Sequence, residues 1–202
     1  MLVREATPED IRALATVEVH SRGAAYAHFM PVHYVKELTV EDATTIWRER
    51  LSGASSMKTM VLESEDQIAG FVRFGRGQAP LPAPNAGELE LLFVAPDHWR
   101  HGLGSTLLEE AERGLQAMGF ASGFLAVFEA NQRARGFYEA RGWIHDGQRW
   151  TVQRGGANLV EMRYRKPLTG LPQTRRFLDT SSSNENFAVL GCPVPPVPSV
   201  PS

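Results

Sequence analysis

The chain has 202 residues, 43% of them hydrophobic and 22% charged, with a formal net charge of −2 and an isoelectric point near 6.3. That balance fits one globular domain with extensions, crowds out two independent domains, and leaves no global basic field to gather nucleic acid or an anionic membrane surface. No stretch approaches the roughly 18 apolar residues of a membrane span and Met1 to Glu5 holds no apolar signal core, so the default expectation is cytoplasmic; the single cysteine, Cys192, permits no intramolecular disulfide and sits in a proline-rich setting unsuited to a nucleophile.

In chain order, a strand over Leu2–Ala6 is followed by Thr7-Pro8-Glu9-Asp10, a cap with proline and early acids that starts a helix with Ile11, Leu14, Ala15 and Val19 on its apolar face. A second helix begins at Thr39-Val40-Glu41-Asp42 and ends at Ser52-Gly53, while Tyr26 to Leu38 takes no assignment. Thr59–Leu62 and Gln67–Phe74 read as a hairpin. Pro80, Pro82 and Pro84 demand a loop before the strand Glu88–Val94. The helix after Gly102 buries Leu103, Leu107, Leu108, Ala111, Leu115 and Met118 and stops at Gly119. Gly123–Phe128 is a continuous apolar strand, as for one covered on both faces. Asn131 caps a short helix closed by Gly142, and Trp150–Gln153 with Leu159–Arg165 forms a last hairpin around Arg154-Gly155-Gly156. The order β, α, α, β, β, β, α, β, α, β, β implies a mixed sheet with helices on both faces. Residues 168–202, rich in serine and proline, read as a tail that is flexible or docked on a partner.

Two segments carry chemistry. In Val94-Ala95-Pro96-Asp97-His98-Trp99-Arg100-His101-Gly102-Leu103-Gly104-Ser105 a strand breaks and two glycines lead into a helix. Glycine allows positive φ and close backbone approach, so successive amides at a helix N-terminus can converge on an anion such as phosphate. An ordinary tight turn is the competing reading. A dinucleotide-binding fold would need a third glycine where Leu107 stands, and the Gly-Lys-Ser/Thr of a P-loop is absent. In the second segment, Asn131 and Tyr138 lie seven residues apart, about two turns, so both project from nearly one side. The alternative makes Asn131 only a cap and Tyr138 only a packed aromatic.

Together the segments resemble the GNAT superfamily of acyl-CoA-dependent N-acyltransferases. Gly102-Leu103-Gly104 follows the strand Glu88–Val94, and Asn131 to Trp143 matches the pattern Asn-x-x-Ala-x-x-Phe-Tyr-Glu-x-x-Gly-aromatic. The resemblance implies an α/β (α+β) fold with a mixed, mostly antiparallel twisted sheet, an acetyltransferase domain over 1–167, and acetyl-CoA as donor with no metal. It implies that the backbone of Arg100, His101, Gly102, Leu103, Gly104 and Ser105 holds the pyrophosphate, that Asn131 meets the pantetheine arm or its neighbourhood, and that Phe93 and Val94 also bind the cofactor; Arg133, Arg135 and Arg141 are candidates for the adenosine 3'-phosphate, with a solvated helix face as the equal alternative. A backbone N–H near Val94 would meet the negative charge growing on the carbonyl oxygen. One departure is Trp99, where the family usually has Gln or Arg; Arg100 next door is the candidate replacement.

An ammonium must lose a proton before it attacks, which calls for a base. Alternation in a strand puts Glu88 and Glu90 on one face, opposite Leu89, Leu91 and Phe93. Alignment on the glycine turn ranks Glu88 first as base and Glu90 second, against a merely solvated face, and Tyr138 matches the family's acid for the departing thiolate. Tyr26, His28, Trp47 and Trp150 lie in segments that flank the acceptor groove of this family, where core or interface residues are the plainer reading. Pro31 between His28 and His33 spoils a helical two-histidine metal site, and no Gly-x-Ser-x-Gly elbow exists. Ser21 to Tyr26 with Thr39 to Leu51 looks like a bacterial-type subgroup whose acceptors are mostly unassigned. The leading expectation is acetylation of a primary amine on a small molecule. A protein N-terminus or lysine as acceptor, and a non-catalytic CoA-binding module, are the rivals; a homodimer is left open.

Overall fold

The computed structural model describes residues 1–53, 55–77 and 85–168. Its elements are β1 (Leu2–Glu5), α1 (Ile11–Tyr26), α2 (Val32–Glu37), α3 (Val40–Leu51), β2 (Met57–Ser64), β3 (Gln67–Gly75), β4 (Ala86–Val94), α4 (Leu103–Ala117), β5 (Ser122–Phe128), α5 (Gln132–Glu139), β6 (Ile144–Arg154) and β7 (Ala157–Pro167). The local signals act as expected. The Asp10 carboxylate accepts the Thr7 N–H at 2.8 Å and grips Arg4 of β1 at 2.7 and 2.8 Å, tying the first strand to the start of α1. Thr39 and Asp42 cap α3 reciprocally, through Asp42 N–H to Thr39 Oγ1 at 3.1 Å and Thr39 N–H to Asp42 Oδ2 at 3.2 Å. Gly119 and Gly142, at φ of 86° and 80°, end α4 and follow α5 in the left-handed region that favours glycine.

The seven strands run in the order β1-β2-β3-β4-β5-β7-β6, and every neighbouring pair is antiparallel except β4 with β5. Neighbouring residues of the central strands feed opposite layers. Leu62, Val72 and Phe74 pack with Leu107, Leu108, Ala111 and Leu115 of α4, whereas Val61 and Phe71 pack with Leu14 of α1 and Trp47 of α3. Both faces of the sheet are thus covered, and the apolar stripe of α4 read from period alone is its buried face. Among the described residues no helix is long and apolar enough to cross a membrane.

Four details depart from the expectations. The unassigned stretch contains a helix, α2, too short and too little buried to show an apolar period. Strand β6 starts at Ile144 rather than Trp150; it is an outer strand, mostly exposed, with a register shift between His145 and Arg149, so no alternating apolar pattern marks it. Leu168, expected to open the tail, is buried and donates its N–H to Ala121 O at 2.9 Å. In β4, Leu89 joins the α4 layer but Leu91 and Phe93 join the α1/α3 layer, because Phe74 pairs with Leu89 and Arg73 with Leu91, leaving Glu90 as an extra residue in a bulge. One inserted residue reverses the alternation beyond it, so Leu91 and Phe93 share the face of the two glutamates instead of opposing them. The proline loop at 80–84 and the rest of the tail with Cys192 lie outside the described residues.

Gly114 is where α4 presses on the sheet: a Cβ there would drive into the ring of buried Phe74. Alanine gains about 1 kcal/mol of helix propensity, but overpacking a core costs typically 1–3 kcal/mol. Gly114→Ala should therefore lower the urea midpoint, with m unchanged. A raised midpoint would show that α4 is held less closely than this contact implies.

Candidate active site

Strand β4 stays paired with β3 as far as Val94, yet it pairs with β5 only at Ala86, Gly87 and Glu88. Beyond Glu88 the two parallel strands part, and a cleft of about 1030 Å³ opens between them. One wall is β4 from Glu88 to Val94; the other is Ala126 to Phe128 of β5 with Asn131, Phe137 and Tyr138 at and in α5. At the end of β4 the Val94 carbonyl accepts two donors, Ser21 Oγ at 2.9 Å and Trp99 Nε1 at 2.6 Å, and Ala95 N–H bonds Ala69 O at 2.8 Å. These bonds fix the peptide plane from which the following turn springs.

The turn runs through a 3-10 turn at Pro96–His98 to Arg100 at φ 68° and Gly102 at φ 84°, and α4 then begins. The first amides of a helix have no partner within it and point outward with the positive end of the dipole. Gly102 is needed for its backbone conformation, since a Cβ there would meet nothing within 4 Å. Gly104 has a different reason: its Cβ would stand 3.3 Å from the Phe137 ring, so its smallness lets α5 pack against the start of α4. Cations gather here. Arg133 lies 3.5 Å over the Trp99 ring, and burial together with the charge of Arg100 holds its pKa below the ordinary arginine value. Arg141 lies 4.0 Å over the Phe137 ring and donates from Nε to Ser105 Oγ at 3.2 Å.

The other part of the cleft holds carboxylates. Glu88 is packed beneath Gly77, where any Cβ would collide with its carboxyl group. Burial, and secondarily the charge of Glu90, pushes its pKa up to about 7. Glu90 is instead ion-paired: Arg73 Nε meets Oε2 at 2.7 Å and Arg50 Nη2 lies 3.9 Å from Oε1. Arg50 also lies 3.6 Å from Glu18, whose Oε2 accepts the Trp47 indole N–H at 2.8 Å. A chain of alternating charges thus links α1 and α3 to the bulge in β4.

The GNAT acetyltransferase family model matches residues 24–143, more than half of the chain. The chain belongs to the GNAT family. It is 30% identical over 140 residues to an uncharacterized N-acetyltransferase, YuaI, of Bacillus subtilis, covering 68% of this chain and 77% of that protein. It is 33% identical over 106 residues to a probable N-acetyltransferase of Mycobacterium tuberculosis, covering 52% of this chain and 58% of that one. A solved structure, the PaiA N-acetyltransferase of Thermoplasma acidophilum in complex with coenzyme A, superposes with a TM-score of 0.62 at 20% identity over 82% of this chain and 98% of that one. The protein is accordingly an acyl-CoA-dependent N-acetyltransferase.

Within this GNAT fold, Glu88, Glu90, Phe93, Val94, Arg100, Gly102, Gly104, Ser105, Asn131, Tyr138 and Tyr26 all line the one cleft. Asn131 is also a true cap, its Oδ1 accepting Ala134 N–H at 3.1 Å, and Tyr138 is also packed edge-on against Trp143 and Phe137, so each has a structural role as well as a place in the cleft wall. Others stand elsewhere. His101 and His28 are exposed and do not line the cleft, and Leu103, the first residue of α4, is buried in the core. Arg135 turns to the far side of α5, donating to Tyr164 Oη and Glu129 O, each at 3.1 Å; Arg133, two residues earlier on a helix, takes the cleft side. Trp47 is fully buried against Phe71 and meets the site indirectly, through Arg50, which lies 5.0 Å over its ring, and through Glu18, which accepts its indole N–H. Trp150 stands behind Glu161, donating its indole N–H to Oε2 at 2.9 Å. Among the described residues no group of histidine, cysteine, aspartate and glutamate is arranged to hold a metal.

Arg50, Arg73 and Glu161, which sequence reasoning passed over, line the cleft. A signal existed for Arg73, a lone charge inside an otherwise apolar strand, and for Glu18 behind it, a charge one turn from Leu14 on the buried face of α1.

Replacing Glu90 by glutamine removes the negative charge beside Glu88, so the Glu88 pKa should fall below about 7, read from its side-chain carbon shift; no movement would leave burial as the sole cause. A carboxyl whose folded pKa is raised contributes stability that is lost as pH rises through that pKa. From about pH 4.5 to about 7, wild type should therefore lose stability relative to Glu88→Gln in urea titrations.

Proposed function

We propose that this GNAT enzyme transfers the acetyl group of acetyl-CoA directly to the primary amine of a small molecule, with Glu88 as base and Tyr138 as acid. The observation that carries this reading is the desolvated carboxyl of Glu88, with a pKa of about 7, at the point where β4 and β5 part. A base of that pKa is half ionised at neutral pH and still strong enough to take a proton from an ammonium, directly or through one water.

The residues present fit the carrier. Acetyl-CoA supplies the activated thioester; the chain supplies binding and proton handling. The amides that open α4 at Gly102 to Ser105, with Arg100, Arg133 and Arg141 around them, suit a pyrophosphate and a further phosphate. Trp99 spends its indole N–H on Val94 O, and the guanidinium stacked over it, Arg133, stands in for the donor that position lacks. Glu88 takes the proton from the acceptor nitrogen before it attacks. A backbone N–H near Val94 stabilises the charge that grows on the carbonyl oxygen, and Tyr138, which lines the same cleft, gives a proton to the departing sulphur.

Thiol release from acetyl-CoA, screened over small amines and over peptides, tests the reading. With a small amine, kcat/KM of the wild type should rise about tenfold per pH unit below the Glu88 pKa and level off above it, well below the pKa of the amine itself. Glu88→Gln should lose about 10²- to 10⁴-fold and this limb with it. Tyr138→Phe should bind CoA normally but turn over slowly. Retention of the limb in Glu88→Gln would remove Glu88 as base, and turnover with peptides alone would move the acceptor to proteins.

A further inference from the structure

Glu161 has no task in the chemistry above. It lies on β7, in register with Phe128 of β5 on one side and Trp150 of β6 on the other, and it is only 2% exposed although it forms part of the cleft wall. Its Oε2 accepts the Trp150 indole N–H at 2.9 Å. Burial raises its pKa more than Trp150 and the charge of Arg154 lower it. Holding a carboxylate in such a place costs several kcal/mol in an apolar setting unless a cation or donors compensate.

The surroundings are aromatic. Tyr26 and Phe128, which line the cleft, meet edge-on with centroids 5.7 Å apart, and Phe29 packs on both at 5.5 and 5.8 Å. Arene faces attract cations, and a desolvated carboxylate beside them strengthens the preference. On the β4 side of the same cleft, Arg73 is paired with Glu90, Arg50 lies near Glu90 and Glu18, and Arg76 lies 5.5 Å over the Phe120 ring. Among the carboxylates that line the cleft, Glu88 and Glu161 face it from strands on opposite sides of its opening.

We infer that Glu161, with the rings of Tyr26 and Phe128, holds a second cationic group of the acceptor, so that the preferred acceptor is a diamine or polyamine whose reacting nitrogen meets Glu88 while another ammonium is anchored at Glu161. This rests on the amine-transfer reading for which nitrogen reacts, but the ammonium site itself is a matter of binding. Glu161 is a specificity residue here, and Trp150 positions it.

Calorimetry on the full chain saturated with CoA tests it, using α,ω-diaminoalkanes of three to eight carbons, 1-aminoalkanes of the same lengths, and an uncharged-side-chain α-amino acid. At least one diamine should bind ten times or more tighter than its matched monoamine, with an advantage that shrinks as salt is raised. Glu161→Gln preserves volume and an oxygen for the Trp150 indole. It should bring the diamine-to-monoamine ratio near one, with CoA affinity checking that the fold is intact. Equal affinity for diamines and monoamines in the wild type overturns the inference without any variant, as does a preference for the amino acid, or a ratio unchanged in Glu161→Gln. Thiol release separates the two readings. Selective diamine binding without turnover would sink the transfer reading and keep the anchor; turnover of monoamines and diamines alike would keep the transfer reading and sink the anchor.

Discussion

The architecture turns on the parting of β4 and β5 beyond Glu88. Two parallel strands in mid-sheet ordinarily satisfy each other's amides and carbonyls along their length, and separating them leaves polar backbone facing an opening. That opening is the cleft. The bulge at Glu90 accompanies the separation. An extra residue bends a strand and increases its twist, and here it also turns Leu91 and Phe93 into the α1/α3 layer, so β4 is anchored on that side while its other edge is released.

A largely buried ionic chain holds the bulge in place. Glu90 pairs with Arg73 of β3 and lies near Arg50 of α3, which in turn lies near Glu18 of α1, where the Trp47 indole closes the set. Ion pairs taken out of water contribute little net stability, but breaking one partner away is costly, so such a chain acts as a geometric lock. Its second effect is electrostatic. With Glu90 matched to arginines and Glu88 not ion-paired among the described residues, two carboxylates in one strand stand in different surroundings, and burial pushes the Glu88 pKa up to about 7. The cleft as a whole is polarised in the same way. Arg100, Arg133 and Arg141 surround the helix N-terminus at the turn, and Glu88 and Glu161 face the cleft apart from it.

Much of this was legible in the chain. Caps at Thr39 and Asn131, terminating glycines at Gly119 and Gly142, and the apolar stripe of α4 are local signals, and the structure uses each one where the residues place it. The elements that escaped, α2 and the first half of β6, are mostly exposed, so they carry no periodic apolar pattern to read. Side chains of the site divided along the same line. Residues near the two motifs, from Arg100 to Ser105 and from Asn131 to Tyr138, mostly reached the cleft, whereas Trp47, His28 and Trp150, inferred from segments alone, did not line it. A helix of eight residues sends Arg133 and Arg135 to different sides, and which side meets the ligand depends on where the helix docks.

By itself, then, the sequence determined the elements with strong local chemistry, the glycine turn into α4, and the two glutamates that share a face of β4. Only the tertiary structure decided that Glu90 would be bulged and ion-paired while Glu88 stayed desolvated, that Gly104 would make room for Phe137, and that Glu161 of β7 would face the same cleft as β4. The physical reason is range. Caps, turns and periodicity act within a few residues, whereas burial and charge pairing are properties of side chains brought together from strands far apart in the chain.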